Sequence, residues 1–88
     1  MTFSVAWAGP AQRDLARLPP RIAAVIVTYV DERLAANPQR HSKPLQGALA
    51  GLHSARSGDY RVLFRIHPVD YSLTVIRVDH RAHVYRPR

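Results

Sequence analysis

The chain has 88 residues, a hydrophobic fraction of 47%, no cysteine and a net charge of +7. That hydrophobic fraction is typical of a folded domain and argues against a disordered chain. The absence of cysteine excludes disulfides, a thiolate nucleophile and a thiolate metal site. Because so short a chain can build only one hydrophobic core, residues 1–88 are expected to form a single domain.

The basic residues are unevenly distributed along the chain. Residues 1–39 have four basic and three acidic side chains, whereas residues 40–88 have nine basic and three acidic ones, a net charge of +6. A basic half of this kind predicts a polyanionic partner, nucleic acid before membrane. The start of the chain, MTFSVAWAGPAQRD, lacks the basic and long apolar regions of a secretory signal, and no apolar run could span a bilayer. We therefore expect a cytoplasmic protein with no membrane partner.

The first third of the chain predicts one strand and two helices. Residues 3–7 alternate in the way that is typical of a short strand. A helix is expected from Pro10 to about Leu18, because proline is favoured in a first helical turn and the apolar residues that follow have helical spacing. Pro19-Pro20 ends that helix, and a second, amphipathic helix is expected over residues 20–36.

The rest of the chain predicts a linker and three strands. Residues 38–51 are expected to form a basic linker with one short helical turn at most. After Gly51 the apolar period becomes two, which predicts strands over residues 52–56 and 60–66 joined by a tight turn. The third strand, expected over residues 71–79, is apolar on both faces and should therefore lie inside the sheet.

The predicted order is β-α-α-β-β-β. This is an α+β fold, with a small, mostly antiparallel four-stranded sheet and two N-terminal helices packed on one face. Two helices cannot cover both faces of such a sheet, so the other face should stay open or bind a partner. The strand over residues 60–66 is expected to place four side chains in the core: Tyr60, Val62, Phe64 and Ile66. Its open face should then present Arg61, Leu63 and Arg65.

The segment from Lys43 to Ile66, KPLQGALAGLHSARSGDYRVLFRI, resembles the RelE/ParE toxin superfamily. The pattern is Lys-Pro-Leu, then Leu-Ala-Gly, then Ser-x-Arg-x-Gly-Asp-Tyr-Arg before an alternating strand. The tail VIRVDHRAHVYR and the N-terminal AQRDLARLPPRI resemble the family as well, so the similarity covers nearly the whole chain. It implies a small toxin that is neutralised by a cognate antitoxin in a hetero-oligomer, and a toxin–antitoxin complex that binds operator DNA.

The resemblance implies one of two activities. RelE-like members act on the ribosome and cut mRNA without a metal or other cofactor, whereas ParE-like members poison DNA gyrase and have no nuclease site. The HRAHVYR tail favours the ribosome-dependent endoribonuclease. The gyrase poison remains the alternative, because Leu52 and Ser54 stand where some RelE-like toxins have lysines. A third hypothesis is a purely regulatory member that acts with its antitoxin on operator DNA.

Metal-independent RNA cleavage needs a base for the 2′-hydroxyl, a cation for the phosphorus centre and an acid for the leaving 5′-oxygen. The resemblance implies that Arg61 binds the phosphate, that Arg81 is a second catalytic arginine and that Tyr85 stacks on a base or transfers a proton. His83 is the expected proton-transfer group because histidine ordinarily titrates near neutrality, and His80 is the second choice. The structural alternatives are a solvated arginine at position 61 and an edge-covering aromatic at position 85.

Further contacts with RNA are expected from four basic residues: Arg56, Lys43, Arg65 and Arg77. No metal site is expected, because an isolated His-x-x-His in the tail is a weak metal signal. The open sheet face is also expected to bind the antitoxin. Apolar surface from Leu63, Leu73 and Val75, flanked by arginines, would suit an acidic and apolar segment that folds on binding.

Overall fold

The computed structural model describes residues 2–80 of the chain. Its elements are β1 (Ser4–Trp7), α1 (Gly9–Ala16), α2 (Pro20–Tyr29), a π-helical turn (Val30–Leu34), β2 (Ser42–Pro44), a 3₁₀ turn (Gly47–Leu49), β3 (His53–Ser57), β4 (Tyr60–His67) and β5 (Ser72–His80). The predicted α+β class is confirmed, with five strands in place of four. None of the helices in this part of the chain has the length and apolar character to cross a membrane.

The five strands form one sheet in the order β1-β5-β4-β3-β2. β1 runs parallel to β5, and every other neighbouring pair is antiparallel. The additional strand, β2, lies in the segment predicted to be a linker, where Lys43 pairs with Ser54 of β3. Lysine and proline suit an edge strand because they discourage pairing with another chain. As predicted, β5 lies inside the sheet.

Both helices have in their first turn the prolines that the sequence singled out. α1 has Pro10 in its first turn, and α2 begins at Pro20. The predicted second helix continues to Leu34, but its last turn is π-helical: the amide of Ala35 donates to the carbonyl of Val30 over 2.8 Å. Val30, Leu34 and Ala35 are all fully buried. Because a π-helical turn is wider than an α-helical one, Leu34 and Ala35, four and five positions after Val30, are both buried on the same side of the helix as Val30.

The hydrophobic core lies between the helices and one face of the sheet. Its buried members are Ala11, Ile26, Val30, Leu34, Ala55, Val62, Phe64, Leu73, Val75 and Val78. Val62 and Phe64 confirm the predicted core face of β4, and Tyr60 and Ile66 pack against its margin. The opposite face of the sheet is not covered by either helix.

A β-bulge interrupts the pairing of β4 with β5. Leu63 pairs with Arg77 and Phe64 pairs with Val75, so Ile76 has no partner across the ladder. An extra residue in one strand reverses the alternation of its side chains beyond that point. This is why Val75 and Val78, three positions apart, both lie in the core.

The predicted apolar surface for the antitoxin is wrong. Leu73 and Val75 are fully buried members of the core and do not lie on the open face. Leu63 lies outside the core cluster but is only 6% exposed, so it also adds almost no apolar surface. β5 has apolar residues on both of its predicted faces, so its sequence does not indicate which face meets the helices.

Candidate nucleic-acid interface

A row of charged side chains crosses the open face of the sheet. Arg56 of β3 pairs directly with Arg61 of β4, and Arg61 pairs with Asp79 of β5. Residues directly opposite in antiparallel strands point to the same face, so these three side chains are neighbours. The pairing of Ser42 with Ala55, continued by one residue, places His41 beside Arg56.

A second row lies next to the first and is less charged. Lys43 of β2 pairs with Ser54 of β3, which pairs with Leu63 of β4, and Leu63 pairs with Arg77 of β5. Lys43, the single lysine of the chain, therefore lies directly beside Ser54 on the neighbouring strand. The segment predicted to be a basic linker thus forms an edge strand here, which the sequence did not predict, and lies beside the predicted arginines.

The two rows border a groove of about 450 Å³ at the β2 side of the open face. The groove is lined by Arg40, His41, Ser42, Lys43, Ser54, Ala55, Arg56 and Arg61. Four of these lining residues are arginine or lysine, and none has a carboxylate. Four cations around one concave surface focus a positive potential that attracts anions.

Arg61 has the most constrained guanidinium group in this groove. Its Nη1 atom is buried and has no hydrogen-bond partner among the residues that the structure describes. A buried donor without a partner is costly, by about 1–3 kcal/mol and more when the group is charged. An anion oxygen in the groove would remove that cost, and the planar guanidinium fork suits the oxygens of a phosphate.

Arg56 is held at the mouth of the groove by the turn that follows it. Its Nε atom donates to the carbonyl of Gly58 over 3.2 Å. Gly58 has a φ of 59°, a left-handed conformation that glycine adopts without strain and that the tight turn between β3 and β4 requires. The bond leaves the terminal nitrogens of Arg56 available for a ligand beside Arg61.

Residues 5–85 match the family model of the ParE toxin of type II toxin-antitoxin systems, parDE. The chain belongs to this toxin family. Toxin RelG of Mycobacterium tuberculosis (strain ATCC 25618 / H37Rv) is 45% identical over 86 residues, which span 98% of this chain and 99% of RelG. Toxin RelE of the same strain is 45% identical over 84 residues, which span 96% of this chain and 87% of RelE.

Solved structures of toxin–antitoxin complexes agree with this membership. The RelBE2 complex from M. tuberculosis contains a chain that superposes with a TM-score of 0.89 at 44% identity, covering 93% of this chain and 94% of that one. The archaeal RelE–RelB complex from Pyrococcus horikoshii OT3 gives a TM-score of 0.71 at 23% identity, covering 96% of this chain and 100% of that one, and so shares the fold. The resemblance to the RelE/ParE superfamily is thereby confirmed.

Two of the arginines expected to contact RNA lie away from the toxin's groove. Arg65 is exposed further along β4, where its Nη1 lies close to Gly51: a Cβ added there would be 3.2 Å from it. Arg77 forms an ion pair with Asp14 of α1, with its Nε 2.8 Å from Oδ2. The hydrogen bond that Arg77 donates to Asp14 raises the pKa of Arg77 above its usual value. Its charge is thus already compensated within the toxin.

Three of the predicted catalytic residues, Arg81, His83 and Tyr85, lie outside the described residues. Of the predicted site, the structure brings together Arg56, Arg61 and Lys43.

Sequence reasoning missed Arg40 and His41 as part of the site. The only signal was the cluster Arg-His-Ser-Lys at residues 40–43, which was interpreted as a basic linker. Within residues 2–80, no three histidine or acidic side chains are grouped as ligands for a metal ion.

Proposed function

We propose that this toxin is a ribosome-dependent, metal-independent endoribonuclease that cuts mRNA and so inhibits translation. One observation carries the proposal: Arg61, whose buried Nη1 has no hydrogen-bond partner within residues 2–80, lines a groove whose described lining includes four cations and no carboxylate. The similarity to chains named toxin RelE and toxin RelG supports it. Single-stranded RNA is a chain of phosphates that suits such a surface.

Three of the four groove cations have a proposed role in binding the phosphates of mRNA. Arg61 binds the phosphate that is cut, because a planar guanidinium can contact two of its oxygens and stabilise the extra negative charge that develops on them. Arg56 and Lys43 bind neighbouring backbone phosphates, which positions the strand along the groove. From the family resemblance, Arg81 is proposed as a second cation at the reacting phosphate, with Tyr85 and His83 in base stacking or proton transfer.

The proposed reaction needs no cofactor. The 2′-oxygen of the nucleotide before the cut attacks phosphorus, the bond from phosphorus to the 5′-oxygen breaks, and the products are a 2′,3′-cyclic phosphate and a free 5′-hydroxyl. A base removes the 2′-hydroxyl proton and an acid protonates the leaving oxygen. Of the three functions, base, cation and acid, the arginines of the groove fit the cation that binds the phosphate and stabilises its charge.

We further propose that a cognate antitoxin neutralises the chain in a cytoplasmic hetero-oligomer, and that this complex binds operator DNA. The relative of 44% identity was solved as the toxin–antitoxin complex RelBE2. An acidic antitoxin segment that folds on the open sheet face would compensate the cations of the groove and exclude RNA. Deleting the C-terminal half of the antitoxin is expected to abolish binding, and unchanged affinity would contradict this docking mode.

The test is mRNA cleavage by purified toxin on programmed ribosomes. Wild-type toxin is expected to cut the mRNA in the ribosomal A site, and Arg61→Ala should lower the rate by about 10²–10³-fold, the usual cost of removing one charge-stabilising donor. Arg65→Ala is the matched control, because it removes the same type of side chain from the same strand outside the groove. Intact mRNA with the wild-type toxin would overturn the proposal.

A gyrase poison is the second candidate, because the matching family model is that of the ParE toxin. Growth arrest with a DNA-damage response while translation continues would point to this function. Arrest of translation without DNA damage is the result expected for the ribonuclease. The two outcomes can be separated in one expression experiment that follows protein synthesis and DNA damage together.

A further inference from the structure

We propose that His41 is the general base that removes the 2′-hydroxyl proton from RNA bound in the groove. The proposal rests on the ribonuclease function proposed above and assigns a catalytic role to a residue that sequence reasoning passed over. His41 immediately precedes β2 and lines the groove together with Arg56 and Arg61. Its backbone amide is fixed by a 3.4 Å hydrogen bond to the carbonyl of Asn37.

The position of His41 follows from the register of the sheet. Ser42 pairs with Ala55 and Arg56 pairs with Arg61, so the side chain before Ser42 continues the row that contains both arginines. Neighbouring residues in such a row have Cβ atoms about 4.5–5.5 Å apart. A phosphate held by Arg61 therefore lies within one or two side-chain lengths of the imidazole.

Among the described residues that line the groove, His41 is the only histidine. The arginines and the lysine there are donors with no free lone pair when charged. The hydroxyls of Ser42 and Ser54 are far too weakly basic to remove a proton from another hydroxyl. Imidazole combines a lone pair with an ordinary pKa close to the pH of the cell, which is the property that a general base needs.

The other described histidines lie elsewhere and have other contacts. His53 stacks on Phe64 of the core, with ring centroids 5.7 Å apart. His67 is 3.1 Å from the hydroxyl of Thr74, and His80 packs edge-on against the ring of Tyr60. None of these three lines the groove of Arg61.

The proton balance of the step is simple. Neutral His41 takes the 2′-hydroxyl proton as the bond between the 2′-oxygen and phosphorus forms, and the bond to the 5′-oxygen breaks. The departing 5′-oxygen takes up one proton from an acid or from water, and the imidazolium of His41 returns its proton to water. No oxidant, reductant or metal takes part.

The charged groups around His41 come from four strands. Arg40 and Lys43 flank it in sequence, Arg56 lies beside it on β3, and Arg61 and Asp79 follow across β4 and β5. All of them except Asp79 are cations. Histidine side chains in general titrate between about pH 5 and 8, so the pH dependence of cleavage is followed over that range.

The test compares His41→Gln with His67→Gln on programmed ribosomes under single-turnover conditions across that pH range. For wild type and His67→Gln, the cleavage rate should rise with pH through the titration of a base. His41→Gln should lower the rate at neutral pH by about 10²–10⁴-fold and remove this rise. Added imidazole should restore part of the activity of His41→Ala, and binding of a non-cleavable 2′-O-methyl RNA should change little.

The outcomes separate this inference from the proposed function. If wild-type toxin cuts and His41→Gln keeps the wild-type rate and pH profile, the inference fails alone. If the substitution removes a fall in rate with rising pH, His41 is an acid and its assignment as base is wrong. If Lys43→Gln, and not His41→Gln, removes the rise with pH, the base is Lys43. If wild-type toxin leaves mRNA intact, the ribonuclease function fails, and the inference fails with it.

Discussion

Asp14 of α1 and Arg77 of β5 form an ion pair across 63 positions of the sequence, with Oδ2 2.8 Å from Nε. The same oxygen accepts a 2.8 Å hydrogen bond from the backbone amide of Val78. β1 pairs with β5 only as far as Val75, so in the described structure the amide of Val78 donates to Asp14 and not to β1. The contact lies directly after the bulge at Ile76 and thereby fixes the register in which Asp79 faces Arg61.

Replacing Asp14 should be costly because of the backbone amide more than the ion pair. Asp14 is only 7% exposed, whereas the Arg77 side chain is 48% exposed and can be rehydrated. Asp14→Ala leaves the amide of Val78 unsatisfied, so we expect a loss of about 1–3 kcal/mol in the free energy of unfolding. Urea denaturation measures this loss.

The matched variant is Asp14→Asn, which has the same shape and keeps an oxygen that can accept from Val78. It loses only the ion pair to a half-exposed arginine, for which a cost of about 0–1 kcal/mol is expected. Equal losses in Asp14→Ala and Asp14→Asn would show that the charge, and not the hydrogen bond to the backbone, holds α1 to β5.

Leu73 offers a direct test of where the open face lies. Because it is fully buried in the core, Leu73→Ala should lower the free energy of unfolding by about 2–5 kcal/mol. Val69→Ala, four positions earlier and 95% exposed, should change it by less than about 0.5 kcal/mol. If Leu73→Ala weakened antitoxin binding without lowering the free energy of unfolding, Leu73 would belong to the antitoxin-binding surface that the sequence predicted, and its place in the core would be wrong.

Features fixed by local chemistry were predictable from the sequence. Pro10 and Pro20 lie in the first turns of the two helices, and the alternation that buries Val62 and Phe64 is visible in residues 60–66. Arg61 was singled out by the family resemblance together with the placement of charge on one face of a strand. These features depend on neighbours within a few positions, which is the range over which residue type determines backbone conformation.

Features fixed by tertiary pairing were not predictable in the same way. β2 has only three residues, too few to show the alternation of apolar and polar residues that predicts a strand. It forms a strand because it pairs with β3. The bulge at Ile76 lies in a strand that is apolar on both faces. The sequence therefore does not reveal that side chains after Ile76 point to the opposite face from the one that strict alternation predicts. His41 reaches the groove through β2, and its role was hidden for that reason.

Tyr29 makes the free energy of unfolding of the toxin depend on pH in alkaline solution. Burial raises the pKa of its phenol above the usual 10.0, and the nearby Arg33 opposes this in part. The contribution to stability is therefore complete below about pH 10, where unfolded tyrosine is still protonated, and is lost as pH rises through the folded-state pKa. Tyr29→Phe should remove this part of the alkaline loss of stability.

The measurement is the free energy of unfolding as a function of pH, up to the alkaline limit of reversible unfolding. Tyr71→Phe removes a hydroxyl from an exposed ring and should leave the alkaline loss in place. An unchanged alkaline slope in Tyr29→Phe would assign the loss to another group. Both variants keep an aromatic ring, so packing is affected little by either substitution.

The salt dependence of RNA binding separates the groove arginine from its neighbour on β4. Each phosphate neutralised on a single strand adds about 0.7 to the magnitude of the slope of log affinity against log salt. With a non-cleavable 2′-O-methyl RNA, Arg61→Ala should lower that magnitude by about 0.7, while Arg65→Ala should change it less, because Arg65 lies outside the groove.

Arg61→Lys distinguishes charge from geometry at the same position. Lysine keeps the positive charge, so the salt slope should stay close to that of the wild type, but it lacks the planar fork that contacts two phosphate oxygens. Affinity measured by fluorescence anisotropy should therefore fall while the slope is preserved. If Arg61→Ala leaves the slope unchanged and Arg65→Ala lowers it, RNA follows the end of β4 near Gly51, and the groove between β2 and β4 is not its binding site.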